Sequence, residues 1–185
     1  MSETTVAAAE KRTLVRAAIV VAVACILGLV VLPALGKGLF SGEADRKPAP
    51  AFNLPVVYQG EDGSRINLAD MKGSPVLIDF YATWCGPCSM QTPIVDRVAR
   101  QHEKNGLKVV AINVYDDDHN AAARFAKGKD LSYPILIDES GLVQREYGVS
   151  RLPTLVIIDK EGRIAHVSSG VMDEASLDKL VREVL

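Results

Sequence analysis

The sequence predicts an α/β sandwich with a mixed central sheet, set behind one apolar segment of membrane-crossing length. Three observations carry that prediction. From residue 49 onward, strand-length apolar runs alternate with stretches of helical period, the pattern of a sheet flanked by helices. The alternation closes in a hairpin and a helix, which places antiparallel strands beside parallel ones. Near the N-terminus, Ala17–Leu35 (AAIVVAVACILGLVVLPAL) runs nineteen residues without a charge, enough at ~1.5 Å per residue to cross a hydrocarbon core.

Residues 1–16 read as a cytoplasmic tail, because Lys11, Arg12 and Arg16 stand close before the apolar segment while Lys37, Arg46 and Lys47 are spread beyond it. That orientation puts the C-terminal domain outside the cytoplasmic membrane, facing a periplasm or the exterior. Two other fates of the segment stay open: cleavage at Ala34-Leu35-Gly36, and lipid attachment at Cys25 after Ala22-Val23-Ala24. The length of the apolar run and the apolar residues that follow Cys25 favour a retained anchor. Residues 36–48, rich in Gly and charge and without periodicity, read as a linker. A formal net charge of −2 over 185 residues gives no pointer to nucleic acid.

The rest of the chain, 49–185, reads as one domain. PAFNLPVV and SRINLA are short alternating runs about the turn residues QGEDGS, predicting a hairpin or a pair of edge strands. SPVLIDFYA is a continuous apolar run, as a strand buried on both faces requires. In the next stretch Ile94, Val95 and Val98 fall at helical spacing, with Gly106 placed as a C-cap. LKVVAINVY is a second buried strand. Asp116, Asp117 and Asp118, with His119, precede a helix whose first turn they cap, a placement favoured by the helix dipole over cation binding. YPILIDESGLVQREYGV reads as a short strand and a short helix. LPTLVIIDKEGRIAHVSSGV reads as a hairpin turning at Lys160-Glu161-Gly162, and a helix from Asp173 to about Val184 ends the domain.

Cys85 and Cys88, in FYATWCGPCSMQTP, admit three uses: metal ligation, a structural staple, or electron transfer. A structural zinc site needs four ligands, and there is no second cysteine pair while His102, His119 and His166 are scattered. A staple across so small a loop restricts the unfolded chain little. Electron transfer fits the placement. Cys85 follows a buried strand at the first turn of a helix, where open backbone N–H groups favour a thiolate. Pro87 suits that first turn because it has no N–H to lose, and Gly86 keeps the turn tight and access open. Cys88, one turn deeper, is the less exposed partner. The pair thus offers an attacking and a resolving sulfur. Asp79 lies in the apolar strand before them, where burial raises a carboxyl pKa.

The segment IDFYATWCGPCSMQTPIVDRVA resembles the active-site strand and helix of thioredoxins, and GVSRLPTLVIIDKEGRI resembles the segment that holds their cis-proline. The leading PAFNLPVV and INLADMKGSPVLIDF are similar to the N-terminal extension of membrane-tethered TlpA/ResA-type thioredoxins. The resemblance covers residues 49–185 and implies a thioredoxin-like three-layer sandwich with an N-terminal β extension. It implies that Cys85 attacks a substrate disulfide and Cys88 resolves the mixed disulfide. Trp84 would flank the sulfurs and, with Gly86 and Pro87, shape the contact surface. Pro153 would be the cis-proline facing them, leaving the Leu152 backbone to pair with substrate. Asp79 would take the proton of the second cysteine, and Pro93 would match the helix kink. Two positions depart from the pattern: Gln91 stands where these proteins often have Glu, and Ala111 where thioredoxins place a Lys near the buried Asp.

Gly-Pro between the cysteines resembles the reducing members of the superfamily. The expectation is a membrane-anchored thiol–disulfide oxidoreductase that reduces disulfide-containing substrate proteins. It needs no organic cofactor or metal, and is recharged by a membrane electron donor because the compartment is oxidising. Cytochrome c maturation and copper-protein thiol reduction are candidate pathways. Two rival readings are a Cu(I)-binding module using the soft ligands Cys85 and Cys88, and a thiol peroxidase.

Overall fold

The computed structural model describes residues 46–61, 63–115 and 118–185, with the side chain of His119 left out. The tail 1–16, the apolar segment 17–35, the linker as far as residue 45, and Asp116 and Asp117 lie outside the described residues. Among the described residues no helix is long and apolar enough to cross a membrane.

The first turn signals form a hairpin: β1 (Asn53–Tyr58) pairs antiparallel with β2 (Arg65–Asn67). A single 3-10 turn, Leu68–Met71, follows, its N-terminus capped by the Asn67 side chain accepting the Ala69 N–H at 3.0 Å. The apolar run becomes β3 (Val76–Tyr81), buried along its whole length. Next come α1 (Gly86–His102), a 3-10 turn ended by Gly106 at φ 88°, β4 (Lys108–Asn113) and α2 (His119–Gly128). Asp118 caps α2, accepting the Asn120 N–H at 2.9 Å. The chain continues through β5 (Ile135–Ile137), α3 (Leu142–Glu146), β6 (Thr154–Ile158), β7 (Ile164–Ser169) and α4 (Glu174–Arg182). Asp173 caps α4 rather than opening it, so this helix is shorter at both ends than its sequence suggests.

The seven strands form one sheet in the order β2-β1-β5-β4-β3-β6-β7. The β3–β4 and β4–β5 pairs are parallel and the others antiparallel, which is the mixed thioredoxin-like sheet the sequence predicts. The alternative of two edge strands at the start is corrected in one respect. β1 is interior, because its other side pairs with β5 (Val56 opposite Leu136), and β2 alone lies at that edge. The three residues of β5 are wholly buried, and their open hydrogen-bonding side needs this partner.

Side chains alternate across β3. Leu77 and Tyr81 enter one core with Val95 and Val98 of α1, Ala122 and Ala126 of α2, and Leu177 and Val181 of α4. Val76, Ile78 and Phe80 enter the other with Phe52, Val143 and Tyr147; the Phe80 and Tyr147 rings lie 5.4 Å apart. At its far end α1 is fastened to α4 by His102 Nε2, 2.6 Å from Asp178 Oδ1.

Asp79 points to the first of these cores, between Leu77 and Tyr81. It is 1 % exposed, its strand neighbours are Ala111 and Leu155, and neither carboxyl oxygen has a hydrogen-bond partner. Burial pushes its pKa from 3.8 up to about 7. Between about pH 4 and 7 the folded protein holds this proton and the unfolded chain does not. Unfolding then releases it, so stability is highest below pH 4, falls as pH rises to about 7, and is level above. At about 1.4 kcal/mol per unit the decline is on the order of 4 kcal/mol. Denaturant unfolding of Asp79→Asn and of the unsubstituted protein at pH 4 and pH 8 checks this: the variant gains several kcal/mol relative to wild type on going to pH 8, and a pH-independent difference contradicts it.

Candidate active site

The site is built at the C-terminal end of β3. Residues 82–85 turn the chain from the sheet into α1, the Cys85 N–H donating to the Ala82 carbonyl at 3.2 Å. Cys85 is the N-cap of α1: its backbone is extended (φ −80°, ψ 106°) and its Sγ accepts the Cys88 N–H at 3.2 Å. A sulfur therefore stands where a Ser or Asp oxygen commonly caps a helix, at the amides left open by helix geometry. That environment lowers a thiol pKa and holds a thiolate. Cys85 and Cys88 are joined as a disulfide with Cα atoms 5.2 Å apart. Cys85 keeps 6 % exposure and Cys88 none, so a partner meets Cys85 first.

Pro87 occupies the first turn of α1, as its missing N–H predicts. Gly86 opens the helix, but not for the reason of a tight turn. Its φ is not positive and a Cβ there meets nothing within 4 Å; what it provides is open space before the sulfurs. Trp84 is 67 % exposed beside them. The Leu152–Pro153 peptide bond is cis. Thr154, the residue after it, lies opposite Phe80 in the β3–β6 pair, so this loop sits beside the end of β3 from which the cysteine turn departs. Leu152 packs against the core containing both cysteines. The Pro153 carbonyl accepts the Gly170 N–H at 2.8 Å.

Asp79 faces that same core from β3, and its register opposite Ala111 leaves it without a cation on the neighbouring strand. Tyr133, also in this core, is near enough that the Asp79 charge adds to the burial that holds its phenol well above the ordinary range. The Thr92 hydroxyl donates to the Cys88 carbonyl at 2.8 Å. Gln91 is fully buried one turn after Cys88. Its Oε1 accepts the Met172 N–H at 2.7 Å, tying α1 to the segment before α4, while its Nε2 has no partner. Sequence reasoning saw Gln91 as a departure from a pattern and missed this tie, because the partner is a backbone amide 81 positions away. Among the described residues no group of three or more His, Cys, Asp or Glu is placed to hold a metal.

Comparison with known proteins agrees with this geometry. The profile of the Redoxin family matches residues 44–181. The chain is 32% identical over 170 residues to the thiol-disulfide oxidoreductase ResA of Bacillus subtilis, an alignment covering 91% of this chain and 90% of that one. It is 31% identical over 153 residues to ResA of Bacillus cereus, covering 81% and 86%. Among solved structures, a thiol:disulfide interchange protein of the thioredoxin family from Chlorobium tepidum superposes with a TM-score of 0.68 at 26% identity, covering 77% of this chain and 99% of that one. With its disulfide at the head of α1 and its mixed sheet behind it, the chain belongs to the redoxin family, as a ResA-type thiol–disulfide oxidoreductase of the thioredoxin superfamily.

Proposed function

We propose that the protein is a membrane-anchored reductant of disulfides in substrate proteins, held by the apolar segment 17–35 with its domain outside the cytoplasmic membrane. The observation that carries the reading is the cap geometry. Cys85, the outer sulfur of a pair closed within one helical turn, rests on the first amides of α1. In the reduced protein the Cys85 thiolate attacks one sulfur of a substrate disulfide. The substrate S–S bond breaks, a mixed disulfide forms, and the departing substrate thiolate takes a proton. Cys88 then loses its proton and attacks Cys85 Sγ. The second substrate sulfur leaves as a thiol, and the protein is left with the Cys85–Cys88 disulfide and two electrons fewer.

Asp79 suits the second step. With a pKa near 7 it is partly ionised at neutral pH, a poise suited to accepting a thiol proton inside a dry core. Trp84, Gly86, Pro87 and the Leu152–Pro153 edge form the surface against which a substrate strand lies. An oxidising compartment does not restore the dithiol, so a membrane electron donor re-reduces it. Reduction of a disulfide in apocytochrome c or between the ligand cysteines of a copper protein fits this scheme, the relatives named ResA being thiol-disulfide oxidoreductases.

The reduction potential of the Cys85–Cys88 couple tests the direction. A value near that of thioredoxin, about −270 mV, is expected; a value near that of DsbA, about −120 mV, makes the protein a disulfide donor instead. Cys88→Ser accumulates a mixed disulfide through Cys85 with a disulfide-bonded substrate protein, read on a non-reducing gel, whereas Cys85→Ser forms none and loses exchange activity to background. Asp79→Asn slows resolution of the mixed disulfide at pH 7 by about 100-fold or more in stopped-flow fluorescence. An unchanged rate removes Asp79 from the mechanism.

A further inference from the structure

Pro93 lies within α1 and has no N–H, so the carbonyl four residues earlier, that of Ser89, has no helical donor. Its hydrogen bond comes from elsewhere in the fold. Lys129, the residue that ends α2, donates from Nζ to the Ser89 carbonyl at 3.1 Å. The same ammonium lies 5.2 Å from the centroid of the Phe125 ring, and Phe125 packs on Tyr81 at 5.2 Å, on the Asp79 side of β3. Ser89 follows Cys88 directly, and its N–H donates to the Cys85 carbonyl at 3.1 Å. At ~1.5 Å per residue Ser89 is about 6 Å along the axis from Cys85.

The charges around this helix differ in how they are neutralised. On α1 itself, Arg97 pairs with Glu174 and Arg100 with Asp96, and His102 faces Asp178. Asp79, Tyr81 and Tyr133 are titratable groups in the core around the cysteines, and each opposes a thiolate when ionised. Lys129 pairs with no carboxylate among the described residues. A carbonyl and a ring face hold it in place without cancelling its charge.

We propose that Lys129 is a positioning residue for the dithiol–disulfide reaction. It supplies the hydrogen bond that Pro93 removes, and so holds against the first two turns of α1 a positive charge that no carboxylate among the described residues cancels, and there it stabilises the thiolate of Cys85. The proposal rests on Cys85 being the attacking sulfur. A Pro in the active-site helix and a Lys at the end of the next helix are then two halves of one device: the first opens a carbonyl, the second uses it to fix an ammonium.

The test uses the reduced full chain, with iodoacetamide alkylation followed on the Cys85 peptide by mass spectrometry across pH 4 to 9 at low salt. Lys129→Met is expected to alkylate about two- to tenfold more slowly below the midpoint of the profile and to move that midpoint to higher pH. The dithiol equilibrium with glutathione, read from the fluorescence of the single tryptophan, Trp84, moves by the same factor toward the disulfide form. Lys129→Arg keeps the wild-type profile, and 1 M salt narrows the gap between wild type and Lys129→Met. Pro93→Ala returns an N–H to the Ser89 carbonyl and shifts the profile in the same direction; Lys129→Met then adds less in that background than alone. Superimposable profiles and equal exchange equilibria for wild type and Lys129→Met overturn the proposal, whatever happens to the unfolding midpoint. Labelling of Cys88 ahead of Cys85 in the wild type overturns the assignment of the attacking sulfur itself, a result read without any variant.

Discussion

The chemistry of this protein depends on a sulfur standing where a helix leaves its first amides open. Cys85 reaches that place because β3 is buried on both faces and ends abruptly at the rim of the sheet, so the chain has four residues in which to leave the core and start α1. The helix is held from several sides. Val95 and Val98 pack on the sheet, Leu177 and Val181 of α4 join the same core, His102 meets Asp178 at the far end, and Gln91 takes the Met172 amide in the middle. A cap made by sulfur is only as well placed as the helix it caps. A helix held from several sides keeps its open N–H groups aimed at Cys85 Sγ, the arrangement that favours a thiolate before any substrate arrives.

That arrangement is bought with groups that ordinary packing would reject. Asp79 occupies a strand position whose neighbours are Ala111 and Leu155, where an apolar residue would be more stable. Pro93 interrupts a hydrogen-bond ladder in a long helix. Both lie on the face of the sheet that carries the disulfide, while the opposite core is built on Ile78, Phe80, Val110, Ile112 and Val156, with the Tyr147 hydroxyl there donating to the Pro50 carbonyl. The division is physical. One side of β3 holds the domain together, and its surplus stability lets the other side keep an unpartnered carboxyl and a broken ladder within reach of two sulfurs.

Most of the architecture was legible because β3, β4 and β6 are continuous apolar runs with clear breaks, and the helices carry their caps in the sequence at Asp118, Asp173 and Gly106. The interior position of β1 was not. Its pairing with β5 is a choice between distant segments, and a run reading NLPVVY looks the same at an edge as inside. In the site, Cys85, Cys88 and the burial of Asp79 follow from local pattern, whereas the cis bond before Pro153 was reached only through resemblance. Of the two reasons for Gly86, open access holds and the tight turn does not, since its backbone is one that any residue adopts. The links from Gln91 to Met172 and from Lys129 to Ser89 span 81 and 40 positions. No periodicity carries such information; Pro93 announced a free carbonyl without saying what would fill it.

The two departures from the wider pattern share one consequence. Ala111 beside Asp79 puts no cation there, and Gln91 one turn after Cys88 puts no second carboxyl there. A Glu in the fully buried place of Gln91 would add a second carboxyl that resists ionisation. With an amide instead, Asp79 is the carboxyl that this core holds, and its pKa is set by burial alone. The amide also has a fixed sense. Its oxygen must face the Met172 N–H, which leaves the Nε2 group as a buried donor with no partner in the oxidised protein. Such a donor costs free energy until an acceptor appears. That cost falls one turn from Cys88, on the helix that carries both sulfurs.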